Sequence, residues 1–437
     1  MSDRRGSRFL RHGFILMVVF WLTGSAIAAE EDKGPNWKED TLTGDWGGLR
    51  PNLYDKGVDL QFTHKSDVMT NTAGGIKRGT VWLGHTEARI KLDLEKIAGW
   101  DATTAYIHYH SDLGSKFNSR YIGGVVGVDN IEVATNTALF FHAWIQKSFF
   151  KDSLSILAGL YPIDSEFYAT DTSGLFLQPP YGMANEMALS GKHGPPIFPT
   201  GALAVRVKYT TPGKNFYLQG ALTDGVPGDP SNPHGTHIKL GNGDGTLSIV
   251  EFGYTPQAED EPDVAAKQDA NGSPEEGEAF NKTAIGFWRY SSKVDDIDSS
   301  LSQRHRSQGA YVLAERTLMV ERDHPSQGLS GFVRFGVANE DTQRVDWSGS
   351  TGLRYHGLIP GRDDDIAGIA VTVNHAGDKY RRINSAESRE TDMEATYRAQ
   401  IKPWLALQPN LQYIINPGMD PALKNAWIVG FRTEIVF

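Results

Sequence analysis

Residues 426–437 read Ala426-Trp427-Ile428-Val429-Gly430-Phe431-Arg432-Thr433-Glu434-Ile435-Val436-Phe437. Successive side chains of a β-strand point to opposite faces. One face of this stretch therefore collects the apolar side chains Trp427, Val429, Phe431, Ile435 and Phe437. The opposite face carries Gly430, Arg432 and Glu434. Such a strand fits a soluble sheet with a buried face, or an outer-membrane barrel whose apolar face meets lipid between aromatic girdles. Only further strands of the same kind distinguish these two possibilities.

The same alternation recurs along the chain, for example in residues 57–63, 87–94, 202–209 and 393–401. Regular alternation of apolar and polar residues is typical of half-buried strands. We predict about sixteen strands, an even number within the range of bacterial outer-membrane barrels. Their predicted starts lie near residues 57, 81, 101, 140, 153, 201, 215, 246, 282, 309, 329, 349, 366, 390, 405 and 425.

The predicted connections alternate in length. Short links follow strands 2, 4, 6 and 14, such as residues 98–100 and 151–152, whereas links after odd-numbered strands are mostly longer. Outer-membrane barrels have short periplasmic turns and long outer loops, and a soluble sandwich has no reason to sort its loops in this way. The sequence therefore predicts an all-β fold, a transmembrane antiparallel β-barrel of about 16 strands.

Two connections stand out. The longest, residues 164–199, is rich in proline and aromatic residues, and structureless loops of this length are usually functional. We predict that it folds inward as a constriction loop and narrows the wide lumen that such a barrel encloses. Residues 257–280 are acidic and rich in glycine and proline. We interpret them as a periplasmic insertion, although a slip in the predicted strand order is the alternative.

The N-terminus has the pattern of an export signal. Arginines at positions 4, 5, 8 and 11 precede the apolar run 14–22, and small residues follow at 25–29. This order is typical of a secretory signal peptide, with cleavage after Ala28 or Ala29. An uncleaved membrane anchor is the alternative, but the run is short for a membrane-spanning helix. We predict a signal peptide at 1–29, an N-terminal periplasmic segment at 30–56 and an outer-membrane barrel at 57–437.

Composition limits the possible functions. Hydrophobic residues make up 39% of the chain and the mean hydropathy is -0.38, which suits alternating barrel strands better than membrane-spanning helices. The chain has no cysteine, so disulfides and thiol catalysis are excluded. The formal net charge of -10 argues against nucleic acid as a partner.

If the apolar faces meet lipid, the charged faces line the lumen. Arginine offers a rigid fork of donors, and carboxylates offer acceptors, so both can bind a polar solute weakly at several sites, as transport requires. The predicted pore-lining residues are Glu87, Arg89, Lys91, Asp93, Arg206, Lys208, Arg334, Arg354 and Arg398, with Arg432 and Glu434 on the same type of face. The predicted constriction-loop residues are Asp164, Glu166, Tyr168 and Asp171. The alternative is that these charges simply keep the lumen hydrated.

Signals for catalysis or cofactors are weak. His108 and His110 share one strand face and could bind a metal with a third ligand, but no third ligand stands out in the sequence. We therefore interpret them as lumen-facing histidines and predict no metal site and no cofactor. No Gly-x-Ser-x-Gly motif is present, so we predict no catalytic residues.

Several segments in order carry a family resemblance: residues 42–50, 127–132, 158–167, 209–213 and 224–230. With them the sequence resembles the carbohydrate-selective porins, the OprB family. The resemblance implies a sixteen-stranded channel in the outer membrane of a Gram-negative cell, with membrane lipid and small carbohydrates such as glucose as its partners. A homotrimer is the common assembly of porins of this size, although no interface is apparent in the sequence.

Three other functions stay open at this stage. A general, non-selective diffusion porin would have the same barrel. An outer-membrane barrel enzyme would need a nucleophile, a base and an acid, which the sequence does not place. A soluble, secreted sugar-binding protein would not explain the alternation of loop lengths.

Overall fold

The computed structural model describes residues 34–114, 116–256 and 280–437. The predicted signal peptide and residues 257–279 of the acidic segment lie outside the described residues. Residues 36–437 form one unit, which contains every strand and helix of the described chain.

Sixteen strands of the described chain form one closed antiparallel barrel. In chain order they are β1 Val58–Gly75, β2 Gly79–Asp93, β3 Thr103–Leu113, β4 Thr137–Phe149, β5 Leu154–Tyr161, β6 Ala202–Thr210, β7 Phe216–Asp224, β8 Thr246–Tyr254, β9 Asn281–Tyr290, β10 Gln308–Val320, β11 Gly328–Ala338, β12 Val345–His356, β13 Ile366–Ala376, β14 Arg389–Lys402, β15 Leu405–Ile415 and β16 Lys424–Val436. Each strand pairs with its neighbours in sequence, and β1 pairs with β16 to close the barrel.

The predicted barrel is confirmed. Every predicted strand start lies within four residues of an observed one. The largest difference is at β12, predicted from residue 349 and observed from Val345. Its first eight residues, 345–352, read VDWSGSTG and lack the regular alternation of apolar and polar residues, so the pattern gave no signal for the start of this strand.

The apolar strand faces point away from the barrel interior. On β11, Val333 and Phe335 are 53% and 45% exposed, whereas Phe332 and Arg334 at the alternate positions are buried. The terminal strand follows the same rule, with Phe431 exposed beside buried residues. A continuous belt of exposed apolar side chains is a liability in water, but it is what a hydrocarbon environment requires. Closure of the barrel leaves no strand edge with unpaired backbone groups, as a membrane also requires.

Short helices and turns connect the strands. The α-helices are Trp37–Asp40, Leu49–Asp55, Leu94–Ala98, Asn185–Ala188 and Asp378–Asn384. One π-helical turn spans Asn118–Ile122. The tighter 3-10 turns are Ile163–Ser165, Thr172–Leu175, Pro179–Tyr181, Ser299–Leu301 and Pro417–Met419, and a two-stranded ribbon pairs Val294–Asp295 with Arg304–His305. None of the described helices is long and apolar enough to span a membrane.

The segment before β1 packs against the end of the barrel. The backbone N–H of Leu42 donates to the Val436 carbonyl at 2.9 Å, and the Arg50 guanidinium donates to the carbonyl of Phe437. Residues 36–56 are therefore tied to the last strand. Their periplasmic location stays a prediction.

Candidate functional site: the inward loop and the barrel wall

The connection between β5 and β6, residues 162–201 (the inward loop), lies across the barrel interior. Its backbone N–H groups have few strand partners, and carboxylates of the wall satisfy several of them. Glu394 on β14 accepts from the N–H groups of Leu177 and Gln178 at 2.7 and 2.9 Å. Glu315 on β10 accepts from the N–H of Thr172 at 2.9 Å. Charge-assisted bonds of this kind are among the stronger hydrogen bonds, and they confirm that the loop folds inward.

Arg334 on β11 holds the same loop through its carbonyl groups. It is 1% exposed. Its Nη1 donates to the carbonyls of Tyr168 and Gly182 at 3.2 and 3.0 Å, and its Nη2 donates to the carbonyl of Pro180. The Nε donates to Ser350 at 3.3 Å. Arg334 was predicted to line the pore. The structure buries it and commits its donors to the loop backbone and Ser350, and these contacts hold the loop against the wall.

Tyr168 is an anchor of the loop. It is fully buried, and its ring stacks on that of Tyr311 with centroids 3.9 Å apart. Its hydroxyl donates to Glu186 of the loop at 2.9 Å. A Cβ at Gly336 would lie 1.9 Å from a Glu186 oxygen, so glycine at that position permits this close approach. Tyr168 was predicted to face the solute, but its ring is covered by the wall.

Three predicted residues meet where the loop leaves β5. Arg206 Nε donates to Glu166 Oε2 at 2.7 Å, and Lys208 Nζ lies 3.9 Å from Glu166 Oε1. Burial raises the pKa of Glu166, but the positive charges of Arg206 and Lys208 outweigh this effect, and the pKa lies below its ordinary value. The Glu166 and Lys208 side chains are 24% and 33% exposed. Both acceptors and donors therefore remain accessible to a solute.

Further along the loop, Asp171 faces a second group of cations. Lys282 Nζ donates to the Ala169 carbonyl at 2.8 Å, and the Arg354 guanidinium lies over the Phe280 ring, 5.0 Å from its centroid. Desolvation by the wall raises the pKa of Asp171, although the charges of Lys282 and Arg354 oppose this shift. Loop carboxylates thus meet basic wall residues at two places.

The remaining predicted loop residue, Asp164, has a local structural role. Its Oδ2 accepts from the N–H of Phe198 at 3.0 Å, which joins the two ends of the inward loop. Burial raises the pKa of Asp164 to about 6.

The other predicted pore-lining residues are paired within the wall or at its end. Arg89 donates to Glu87 at 2.8 Å, and Arg398 donates to Glu434 at 3.0 Å. Arg432 binds Asp67 at 2.6 Å. Asp93 caps the short helix at 94–98, and Lys91 is exposed. The structure does not bring these residues into the group around Glu166.

Sequence reasoning missed four charged wall residues that contact the loop. They are Glu251, which accepts from the N–H of Tyr168 at 3.0 Å, together with Lys282, Glu315 and Glu394. Each lies at a polar position of an alternating strand, which is a signal for the inner face, but the pattern alone does not say which inner-face residues reach a loop.

A closed barrel with an apolar exterior, a charged interior and an inward loop defines an outer-membrane porin. The chain belongs to one family of such channels: the profile described as "Carbohydrate-selective porin, OprB family" matches residues 77–437. The protein is therefore a porin and not an enzyme.

Similar proteins agree with this assignment. "Porin B" of Pseudomonas aeruginosa is 24% identical over 452 residues, which cover 95% of this chain and 94% of that protein. "Putative porin QuiX" of Acinetobacter baylyi is 25% identical, with coverage of 98% and 100%. The high-pH structure of Pseudomonas putida OprB superposes with a TM-score of 0.79 at 22% identity, covering 92% of this chain and 99% of that chain. This structural likeness supports the fold.

Proposed function

We propose that this porin carries small carbohydrates such as glucose across the outer membrane by passive, sugar-selective diffusion. The observation that carries the proposal is the contact of Glu166 with Arg206 and Lys208 at the edge of the inward loop. A sugar passing between loop and wall meets the partly exposed carboxylate of Glu166 beside the partly exposed ammonium of Lys208, an acceptor and a donor that its hydroxyls can bind.

Mixed charge also explains why a neutral solute would be favoured over an ion. Glu166 and Asp171 on the loop offset part of the positive charge of Lys208, Lys282 and Arg354 on the wall. Adjacent charges of opposite sign give hydrogen-bonding groups on both sides of a polyol without a strong field of one sign. Binding is then weak and spread over several residues, so that the solute both enters and leaves.

We expect Lys208→Met and Glu166→Gln to weaken glucose-dependent block of the single-channel current. Lys208→Met removes a donor, and Glu166→Gln replaces a charged acceptor by a weaker neutral one. Either change is worth about 1 kcal/mol, or roughly a fivefold rise in the dissociation constant. The measurement is current noise or block in planar bilayers over a range of glucose concentrations. Lys402→Met is the matched control, because Lys402 is exposed at the end of β14.

The general diffusion porin is the competing function. It would pass glucose and other neutral solutes of the same size at the same rate, and block would be equal in the native channel and in both variants. That result would contradict sugar selectivity but would leave the porin fold intact.

Two features of the mature protein stay predictions. Cleavage after Ala28 or Ala29 is tested by N-terminal sequencing of the purified protein. A homotrimer is tested by the protein mass of the complex in detergent, where a monomer mass would contradict it.

A further inference from the structure

Strands β2, β3 and β4 gather a histidine–carboxylate cluster on the inner face of the barrel. All of its side chains are more than nine-tenths buried. The cluster consists of His85, Glu87, His108, His110, Asp112 and His142.

Three ligand atoms of this cluster converge. His108 Nε2 lies 2.9 Å from Glu87 Oε2, and His85 Nε2 lies 3.5 Å from the same oxygen. One atom from each residue lies within 4.8 Å of the other two. Despite its short distance from the carboxylate, the buried His108 Nε2 is not aligned for a good hydrogen bond. Imidazole nitrogens and a carboxylate oxygen that face one point without bonding each other have the arrangement of metal ligands.

Asp112 orients the imidazole of His85. The Nδ1 of His85 lies 2.7 Å from Asp112 Oδ1 with hydrogen-bond geometry, which leaves Nε2 directed towards Glu87. A carboxylate that holds the far nitrogen of a histidine is the usual outer-shell partner of a metal ligand. The other oxygen of Asp112 lies 2.7 Å from His110 Nδ1 without hydrogen-bond geometry.

We propose that His85, Glu87 and His108 bind a divalent transition-metal ion, with Zn²⁺ as the representative ion and Asp112 as the outer-shell carboxylate. Two imidazoles and one carboxylate suit Zn²⁺, Ni²⁺ or Cu²⁺, whereas Mg²⁺ and Ca²⁺ prefer oxygen ligands alone. The site shares no residue with the group of Glu166, Arg206 and Lys208 that carries the proposed function.

The cationic side chains of Arg89 and Lys65 lower the expected affinity for a metal ion, but neither side chain enters the site. Arg89 Nη2 and Lys65 Nζ lie 2.8 and 3.8 Å from Glu87 Oε1. They contact the oxygen that does not face the imidazoles. Their charges repel a bound cation, so we expect Arg89→Met to bind Zn²⁺ more tightly than the native protein.

The site also touches the inward loop. The ring of Phe198 packs against His85 and His110 with centroids 5.7 and 5.4 Å apart, and His110 Nε2 lies 3.2 Å from the Pro199 carbonyl. A bound ion that fixes the His85 imidazole would also restrain Phe198 at the end of the loop, which packs against it. We therefore expect Zn²⁺ to slow proteolysis of the inward loop.

The test is isothermal titration calorimetry. Zn²⁺ is added to the full-length porin in detergent after a chelator has removed bound metal. We expect saturable binding of one ion per chain, weakened at least roughly tenfold in His108→Gln and in His85→Gln. Folding of each variant is checked by heat-modifiable electrophoretic mobility. The two substitutions are made in separate variants, so the binding test needs only one of them to fold.

His305→Ala is the matched control. Asp296, His305 and Asp341 form another possible ligand group, less buried, in which Lys379 already contacts both carboxylates. Binding that disappears in His305→Ala but persists in His108→Gln would overturn the proposal, as would the absence of saturable binding by the native porin. Absorption of bound Co²⁺ in the visible region, lost in His108→Gln, would support imidazole ligation directly.

Discussion

Channels with Arg334→Met are expected to conduct more current and to show less glucose block than the native channel. Arg334 is buried and donates to the carbonyls of Tyr168, Pro180 and Gly182 in the inward loop. Methionine fills a similar length but donates nothing, so these carbonyls lose their partner. Each unpaired buried group costs about 1–3 kcal/mol, and three such groups are enough to shift the loop more than tenfold towards an undocked state.

Two measurements check this result. Single-channel recording in planar bilayers reports conductance and glucose block, and limited proteolysis reports whether residues 162–201 have become accessible. Arg289→Met is the control, because Arg289 is exposed on β9 and its loss should change neither. If Arg334→Met keeps native conductance, native block and native protease resistance, the loop does not depend on Arg334 for its position.

The barrel could be predicted from sequence because the strand signal is local. Val333 and Arg334 already show by their alternation which one meets lipid and which one points inward, and the structure places them on those faces. Strand starts follow from the same pattern, and only the irregular start of β12 differed by as many as four residues.

The roles of the inner-face residues could not be predicted, because they depend on contacts between distant parts of the chain. Arg334 and Tyr168 are 166 positions apart. The alternation within one strand does not show which loop carbonyl accepts a hydrogen bond from an arginine on that strand. Both residues were therefore predicted as solute contacts and are instead found between loop and wall.

The histidine cluster was missed for a different physical reason. The spacing of His108 and His110 on β3 was visible in the sequence, but their carboxylate neighbour comes from β2. The position of this carboxylate beside the histidines depends on the register of the two strands, which sets Glu87 opposite His110. Register is fixed by pairing and by turn geometry together, and the alternating pattern of one strand does not contain it.

Val333→Arg is expected to destabilise the barrel in lipid by about 2–4 kcal/mol, the cost of an arginine on the lipid face near the middle of a membrane. Val333 is 53% exposed and lies at the centre of β11, Gly328–Ala338. The measurement is the urea midpoint of unfolding from phospholipid vesicles, together with the fraction that shows folded electrophoretic mobility. Val333→Leu is the control and should unfold at the native midpoint.

A comparison with a substitution at the neighbouring Arg334 distinguishes the loss of stability in lipid from general damage to the strand. Val333→Arg puts a charge into hydrocarbon and should lower stability while leaving the conductance of folded channels unchanged, because the inner face is untouched. Arg334→Met removes a charge from the opposite face and should change conductance and sugar block, since it acts on the inward loop. If Val333→Arg and Val333→Leu were equally stable in vesicles, the exposed apolar belt would not lie in the hydrocarbon of a membrane.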